Sequence, residues 1–598
     1  MLTLDTDTLR PLYYWGVAVL AVITVGFHIY LVFTGLIPNL VSRPLHLALV
    51  LPWIFLFPGK VSRFTAYFGY LLMVLALLSS AYIIYNHSAL EDQYGSLEGP
   101  LQYGIAGILI LSVLEMARRS VKLALPLTAL VALLYGMFGH LIPGNFGHQE
   151  IPLDSFLGTL VIAEGGIYGS LTGISVTVVA VFVILGAFVG VGEGGNAFMA
   201  MSTKLAGRFR GGAAKVSVLA SAFFGSISGS ASANVASTGA FTIPTMKRLG
   251  YPASLAAAVE AVASTGGQIM PPLMGAGAFI MAELLGVRYT TIMEAAFFPA
   301  LLFFITVWIG VDIFARRYNL LAMSDEEIPN FRTVLMLSPF FLIPFSALLI
   351  ALMVIGKTPQ YSAALAIFAS VALLAVDREW RFSIRRWFAK FLEGAIVASR
   401  QIAVIASIII TAGIIIGVLN ITGVGVKITS AILVFSDGQL WIALILTAFA
   451  CLILGMEVPT TAAYIISVAV AGPILQEYGL PALETHLFIF WFALLSTITP
   501  PVCGTVFIAA GMADAHWLKV ASKAMRLGIG LYIIPIAFIT NRWLIHPETH
   551  FVLSLLSFVK ITIGLGIVSY ALVGDSRGWL QRIGLLLTGL LVAIYPLF

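Results

Sequence analysis

Two stretches of this 598-residue chain gather oxygen atoms without gathering charge. Residues 216–244 read VSVLASAFFGSISGSASANVASTGAFTIP, and Gly225–Ser232 is almost entirely Gly, Ser and Ala. A second stretch, 439–475, carries LGMEVPTTAAY at its centre. Each is followed by a Ser-Thr pair and then a Pro-Pro pair, in STGGQIMPP at 264–272 and STITPP at 496–501. Proline has no N–H and its ring clashes with the preceding turn. Pro271-Pro272 and Pro500-Pro501 are therefore expected to break helices and to free carbonyls about one turn upstream. Freed carbonyls and Ser or Thr hydroxyls are hard oxygen ligands that suit Na⁺. Helix N-termini at the same places favour an anion. Two tips and two breaks that converge would form paired cation sites around one substrate site.

The candidate ligands follow from those positions. A first cation site would use Ser228, Gly229, Ser230 and Asn234 at the tip, with Thr265 and Gly266 at the break. A second would use Val458, Thr460 and Thr461 at the tip, with Thr497 and Thr499 at the break. Many of these would act through backbone carbonyls, so small size counts for more than side-chain chemistry. Gln268 and Tyr464 are candidate substrate contacts, and helix packing is the competing role for every residue named. Acids inside apolar segments are functional groups by default. Glu260, before the first break, and Glu457, in the second tip, would carry protons if the coupling ion is H⁺; the rival role is a paired structural carboxylate. The coupling ion is read as Na⁺, H⁺ or both, with no organic cofactor.

The surrounding elements must be membrane helices. Hydrophobic residues make up 60% of the chain and charged residues only 10%, where soluble domains carry roughly 25%. Too few charges exist to cover the surfaces of several soluble domains, so a lipid bilayer is the expected solvent. The net charge of +5 needs no nucleic acid, because Lys and Arg sit in short loops as the positive-inside rule requires. Cys451 and Cys503, the only cysteines, lie in apolar runs, which argues against a disulfide framework. The N-terminal MLTLDTDTLRP lacks a basic region before Arg10, so no cleaved signal is expected.

Spans of about 20 residues are expected near 14–36, 44–57, 64–86, 100–116, 123–142 and 172–192. Residues 155–170 are too short and Gly-interrupted to cross. Further spans fall near 251–282, 289–314, 333–354, 360–376, 394–422, 484–512 and 524–541, with a final pair at 551–573 and 579–597. Loops with Lys60, Arg63, Arg118, Arg119 and Lys122 alternate with acidic loops at 87–98 and 143–154. That alternation puts the N-terminus in the cytoplasm, against the single vote of Arg43. The run Arg378–Lys390 marks a later cytoplasmic turn. The 216–244 stretch has Lys215 before it and Lys247 and Arg248 after it. Each half is roughly a dozen residues, about 18 Å of helix, too short to cross. Both features describe a re-entrant hairpin with its polar tip near the midplane. The 439–475 stretch, flanked by Asp437 and Glu477, is expected to enter from the other side.

The two halves share a ruler. Pro244 to Pro271 and Pro473 to Pro500 are both 27 residues apart. An odd number of spans separates the copies, so they must be inverted, the pattern of alternating-access transporters. Other classes fit less well. Gly356-Lys357-Thr358 mimics the end of a P-loop, but Ala351 stands where its first Gly belongs. A serine protease needs a His near its Ser, and 226–237 has none. An ion channel with re-entrant loops is the stronger competitor.

The SISGSASANVASTGAFTIP, EAVASTGGQIMPP and GMEVPTTAAY…STITPP stretches resemble the large membrane subunit of tripartite ATP-independent periplasmic (TRAP) transporters. More narrowly they resemble the fused small-plus-large form associated with TAXI-type binding proteins. The resemblance covers roughly 155–542, and Glu457 departs from the Gly of many relatives. It implies an all-α polytopic bundle with inverted-repeat hairpins, broken helices and an elevator mechanism. Residues 1–142 would be the small-subunit-like region, 143–542 the large-subunit-like region and 543–598 an added helix pair. The implied function is symport of a small carboxylate across the bacterial inner membrane, with a periplasmic TAXI-type substrate-binding protein. A self-sufficient carrier is the alternative.

The inverted arrangement is checked by labelling. In a background lacking Cys451 and Cys503, Arg210→Cys is expected to react only from the cytoplasm and Gly438→Cys only from the periplasm. Labelling of both from one side contradicts the inversion.

Overall fold

The computed structural model describes residues 11–35, 37–57, 62–121, 123–455, 458–501, 503–574 and 578–597. Helix dominates them, and no β-strand occurs among them beyond an isolated bridge between Val376 and Phe382. Nine of the described helices are long and apolar enough to cross a membrane, or ten if a bent pair counts as one span. Arg63–Tyr85 illustrates how such a helix faces lipid. Phe64, Tyr67, Leu71, Val74 and Leu78 are exposed on one stripe, while Leu72, Met73, Ala76 and Ser80 are buried on the other. Both faces are largely apolar, so the exposed one requires a hydrocarbon solvent.

Five helices, Pro11–Thr34, Asn39–Phe55, Arg63–Tyr85, Gly99–Ser120 and Ala124–Phe138, form the N-terminal region. They wrap one side of the longest helix, Ile384–Thr422. At 39 residues it is about 58 Å long, nearly twice a bilayer core. The reading of Arg378–Lys390 as a loop is corrected here. Ser383 caps the helix by accepting the Arg386 N–H at 3.3 Å, so Arg385, Arg386 and Lys390 ride on its first turns.

Polar staples fasten the N-terminal region to the rest. His28 Nδ1 donates to the Thr24 carbonyl at 2.7 Å, which leaves His28 Nε2 to accept from His46 Nδ1 at 2.8 Å. His46 Nε2 then accepts from Ser175 Oγ at 3.1 Å. All four ring nitrogens are satisfied with both rings neutral, which suits side chains that are fully buried. Arg43 lies inside Asn39–Phe55 rather than in a loop. It is almost fully buried, donating to the Tyr168 carbonyl at 2.5 Å with Glu164 at 3.5 Å. Its position is set by these partners within the protein.

Proline and capping residues account for most departures from the expected spans. The run expected at 333–354 is bent by 46° between Phe331–Leu337 and Pro339–Val354, where Pro339 interrupts the ladder. Residues 153–161 form one short helix, Leu153–Val161, before Ser170–Val191 begins. An unexpected helix, Val424–Ser436, precedes the second hairpin. The triplet Gly356-Lys357-Thr358 ends as a cap, with Thr358 Oγ1 accepting the Tyr361 N–H at 3.4 Å. Helices Pro547–Val573 and Trp579–Ile594 pair with each other; the first lies against Tyr289–Arg317 and the second against Ile529–Thr540.

Candidate functional site

The first hairpin has arms Gly212–Ser228 and Ala231–Arg248. The second has arms Leu440–Leu454 and Thr460–Glu477. Each is followed by a helix in two pieces, Ala253–Gly266 with Ala276–Leu285, and Ala482–Leu495 with Gly504–Ala513. The Pro271–Pro272 and Pro500–Pro501 bonds, both cis, lie in the two breaks. The hairpin arms of 15 to 18 residues reach roughly 22–27 Å, less than a bilayer core of about 30 Å.

Close approach holds each tip on its break. Gly225 is packed so tightly on Gly267 that a Cβ on Gly267 would stand 2.6 Å from Gly225 Cα. In the other half a Cβ on Gly455 would stand 2.8 Å from Ser496. Gly229 takes the left-handed conformation at φ 59° that reverses the first hairpin. It sits against the Met274 carbonyl of the first break. Ser230 caps the second arm by accepting the Ala233 N–H at 3.3 Å. Ser228 Oγ is buried with no hydrogen-bond partner among the described residues.

The two halves meet at five side chains, Gln268 and Thr265 from the first and Thr460, Thr497 and Thr505 from the second. Gln268, from the first break, donates Nε2–H to the Gly229 carbonyl at 3.2 Å and accepts from Thr460 Oγ1 at 3.2 Å. One amide thus links both tips. The hydroxyls of Thr265 and Thr497 lie 3.1 Å apart, and Thr505 Oγ1 donates to the Thr497 carbonyl at 2.7 Å. The helices beginning at Ala231, Ala276, Thr460 and Gly504 all start around this cluster, and those ending at Ser228, Gly266 and Leu495 stop at it. Helix N-termini and C-termini thus converge on one polar centre.

The remaining candidates are placed as follows. Asn234 is fully buried; its Nδ2 donates to the Ser221 carbonyl at 2.9 Å, leaving Oδ1 as an acceptor for Thr238 Oγ1 at 3.2 Å. Gly266 packs on Phe303. Thr499 bonds outward, to the Leu495 carbonyl at 2.7 Å and to Tyr532 at 2.6 Å. Tyr464 is fully buried with its hydroxyl on His486 Nδ1 at 2.8 Å. Val458 and Thr461 are half-buried beside the second tip. Glu457 lies outside the described residues.

Glu260 is fully buried and surrounded by five hydroxyls: Ser217 at 2.7 Å, Ser221 at 3.2 Å, Ser264 at 3.0 Å, and Thr238 and Thr242 closer still. None of the five was among the sequence candidates. A signal for them existed, because Ser217 and Ser221, Thr238 and Thr242, and Glu260 and Ser264 are all four residues apart, one helical turn.

Fold and site define a polytopic helical membrane protein whose polar centre is assembled from interrupted helices. A family model described as the tripartite ATP-independent periplasmic transporter, DctM component, matches residues 108–548. The chain belongs to that family and is a transporter permease. The match begins inside the region read as small-subunit-like and ends just inside the C-terminal pair. The chain is 23% identical to the uncharacterized protein YgiK of Salmonella typhimurium over 370 residues, 61% of this chain and 82% of that one. It is 25% identical to the C4-dicarboxylate TRAP transporter large permease protein DctM of Pseudomonas aeruginosa over 335 residues, 55% of this chain and 76% of that one. It is 23% identical to the isethionate TRAP transporter permease protein DctMQ of Oleidesulfovibrio alaskensis over 360 residues, 58% of this chain and 54% of that one.

Gln268→Leu removes the amide that joins the tips and leaves the Gly229 carbonyl and the Thr460 hydroxyl without it. Each orphaned group costs about 1–3 kcal/mol. The expected outcome is a lower thermal midpoint in detergent, while Gln476→Leu on the exposed end of the second hairpin leaves the midpoint unchanged. Equal midpoints for the two variants contradict the bridge.

Proposed function

We propose that this chain is the membrane permease of a secondary active, cation-gradient-driven uptake system for a small carboxylate-type solute. It works by an elevator mechanism in the bacterial inner membrane, with its N-terminus in the cytoplasm. A periplasmic TAXI-type substrate-binding protein delivers the solute. Residues 1–142 serve as a fused small subunit and 143–542 as the large subunit. The observation that carries this reading is the meeting of both hairpin tips and both breaks at Gln268 and at Thr265 with Thr497. Interrupted helices facing one another in two halves are the arrangement that binds ions and solute together in alternating-access carriers.

Three further points support the proposal. Na⁺ would find Ser228 Oγ, which lacks a partner, beside the Gly229 carbonyl at the first tip. Helix N-termini at Ala231, Ala276, Thr460 and Gly504 suit a carboxylate. The acidic outer loops 87–98 and 143–154 are far shorter than the roughly 50 residues of a soluble domain, so high-affinity capture falls to another protein. The names of two relatives, a C4-dicarboxylate and an isethionate transporter permease, fit a small organic anion.

The test is uptake of a panel of labelled small carboxylates into proteoliposomes, with Na⁺ and H⁺ gradients imposed separately. Gradient-dependent uptake is expected only when the binding protein encoded nearby is added. Asn234→Ala and Thr461→Ala are expected to weaken cation activation about tenfold, equivalent to about 1.4 kcal/mol. Equal uptake without the binding protein makes the chain a self-sufficient carrier. Flux that neither saturates nor follows a gradient makes it a channel.

A further inference from the structure

Glu260 lies on Ala253–Gly266 with no part of it exposed. The hydroxyls around it come from three helices: Ser217 and Ser221 from the first arm of the hairpin, Thr238 and Thr242 from the second, and Ser264 from its own helix. No described Lys, Arg or His bonds to it. The helices packed on this one are the two hairpin arms, Tyr289–Arg317, Gly504–Ala513 and Trp517–Leu527. Of their charged side chains, Lys215 is engaged with Asp312 at 2.7 Å, Arg248 with Glu327 at 2.6 Å, Lys247 with the Ala513 carbonyl at 2.7 Å and Lys523 with Ser254 at 2.8 Å, while Glu294, Arg317, Lys519 and Arg526 on the same helices make no bond to Glu260. Arg316 also pairs with Asp312, at 3.0 Å. A carboxyl this deep without a cation must be stabilised by hydroxyl donors when ionised, or carry a proton.

Counting hydrogens separates these hydroxyls into two kinds. Ser217 has no acceptor but Glu260, and Ser264 has otherwise only Ser221 Oγ at a distant 3.5 Å. These two therefore point at the carboxyl in either state. Thr238 and Thr242 each have a second choice, the Asn234 carbonyl at 2.8 Å and the Thr238 carbonyl at 3.1 Å. With Glu260 ionised, its two oxygens accept from Ser217, Thr242, Thr238 and Ser264, and Ser221, the longest of the five contacts at 3.2 Å, can turn to Thr238 Oγ1 or Ser264 Oγ instead. With Glu260 protonated, its O–H donates to Thr238 or Thr242, and that threonine turns its own hydrogen to the helix carbonyl. Neither state orphans a polar group. A carboxyl that merely fastened helices would need only one of these states.

Thr238 also connects the acid to the hairpin tip. Its hydroxyl lies 3.2 Å from Asn234 Oδ1, while Asn234 Nδ2 is held by the Ser221 carbonyl. When Glu260 is ionised, the Thr238 hydrogen goes to the acid and Asn234 Oδ1 keeps its lone pairs. When Glu260 is protonated and donates to Thr238, that hydrogen is released to Asn234, whose carbonyl lies at 2.8 Å and Oδ1 at 3.2 Å. The acid belongs to one half only. Applying the 229-residue offset from Pro271 to Pro500, the place of Glu260 is taken by Ile489, those of Ser217, Ser221, Thr242 and Ser264 by Leu446, Ala450, Ala471 and Ala493, and only Thr238 keeps a hydroxyl counterpart, Ser467.

We propose that Glu260 and its five hydroxyls form a single proton-binding site, whose occupancy is passed through Thr238 to Asn234 and so opposes cation binding at the first tip. This rests on the tip being a cation site, as in the function proposed above. Linkage makes the opposition reciprocal: a proton weakens the cation, and the cation drives the proton off.

The test is infrared difference spectroscopy of the purified full chain in nanodiscs, titrated with pH in the presence and absence of Na⁺. A protonated-carboxyl carbonyl band that Glu260→Gln removes is expected to titrate. Na⁺ favours the ionised form, so it should move the midpoint to lower pH, by about one unit for a tenfold coupling. Thr238→Val leaves the acid in place, and its band should titrate with little shift by Na⁺; Thr238→Ser should restore the shift. No titrating band that depends on Glu260, or a midpoint indifferent to Na⁺ in the unmodified chain, overturns the proposal. Glu260→Gln and Thr238→Val are compared only as monodisperse protein, and the Thr238 pair remains decisive if the Glu260 variant does not fold. A failure of gradient-driven uptake in liposomes leaves these spectra unaffected, so the two proposals fail separately.

Discussion

A helix that stops short of crossing a bilayer leaves up to four N–H or four C=O groups without partners. In hydrocarbon each such group costs several kcal/mol. The centre of this protein is organised by that constraint. Two hairpins turn and two helices break, so their bare ends need one another. Gln268 meets part of the demand by bonding to both tips, and the Thr265, Thr497 and Thr505 hydroxyls meet more of it. Ser228 Oγ is left without a partner among the described residues, and in the function proposed above it is a ligand for the ion.

The same economy explains where glycine and small hydroxyl residues fall. The tips can approach the breaks only because Gly225 and Gly267 have no side chains, and in the other half Gly455 lies equally close to Ser496. The outer elements follow a different rule. Around the N-terminal helices some polar groups form closed chains, as from Thr24 through His28 and His46 to Ser175. Such a network joins two regions tightly and leaves nothing free for a ligand.

The hairpins and breaks were legible in the sequence because proline and glycine act locally, and the shared 27-residue ruler tied them together. Nine of the spans, such as Arg63–Tyr85 and Tyr289–Arg317, were legible from apolar length, whereas Asn39–Phe55, Pro359–Leu373 and Trp579–Ile594 are shorter helices. Helix boundaries that depend on a single cap or proline were less so, as at Ser383 and Pro339. Arg43 could not be read from charge rules, since its place is set by Glu164 and the Tyr168 carbonyl more than a hundred residues away in sequence. Gln268 was picked as a substrate contact, yet its amide spans two tips that sequence alone does not bring together. The hydroxyls around Glu260 were missed for a similar reason. Their one-turn spacing is visible on each helix, but only packing brings three helices onto one acid.

The central claim is that both tips and both breaks form one ion-binding centre. Hydrogen–deuterium exchange of the full chain in nanodiscs, with Na⁺ present or replaced by choline, tests it directly. The account predicts that Na⁺ slows exchange together in four segments, 226–235, 264–275, 458–463 and 496–505. Protection confined to one half, or no change in any of the four, would contradict it.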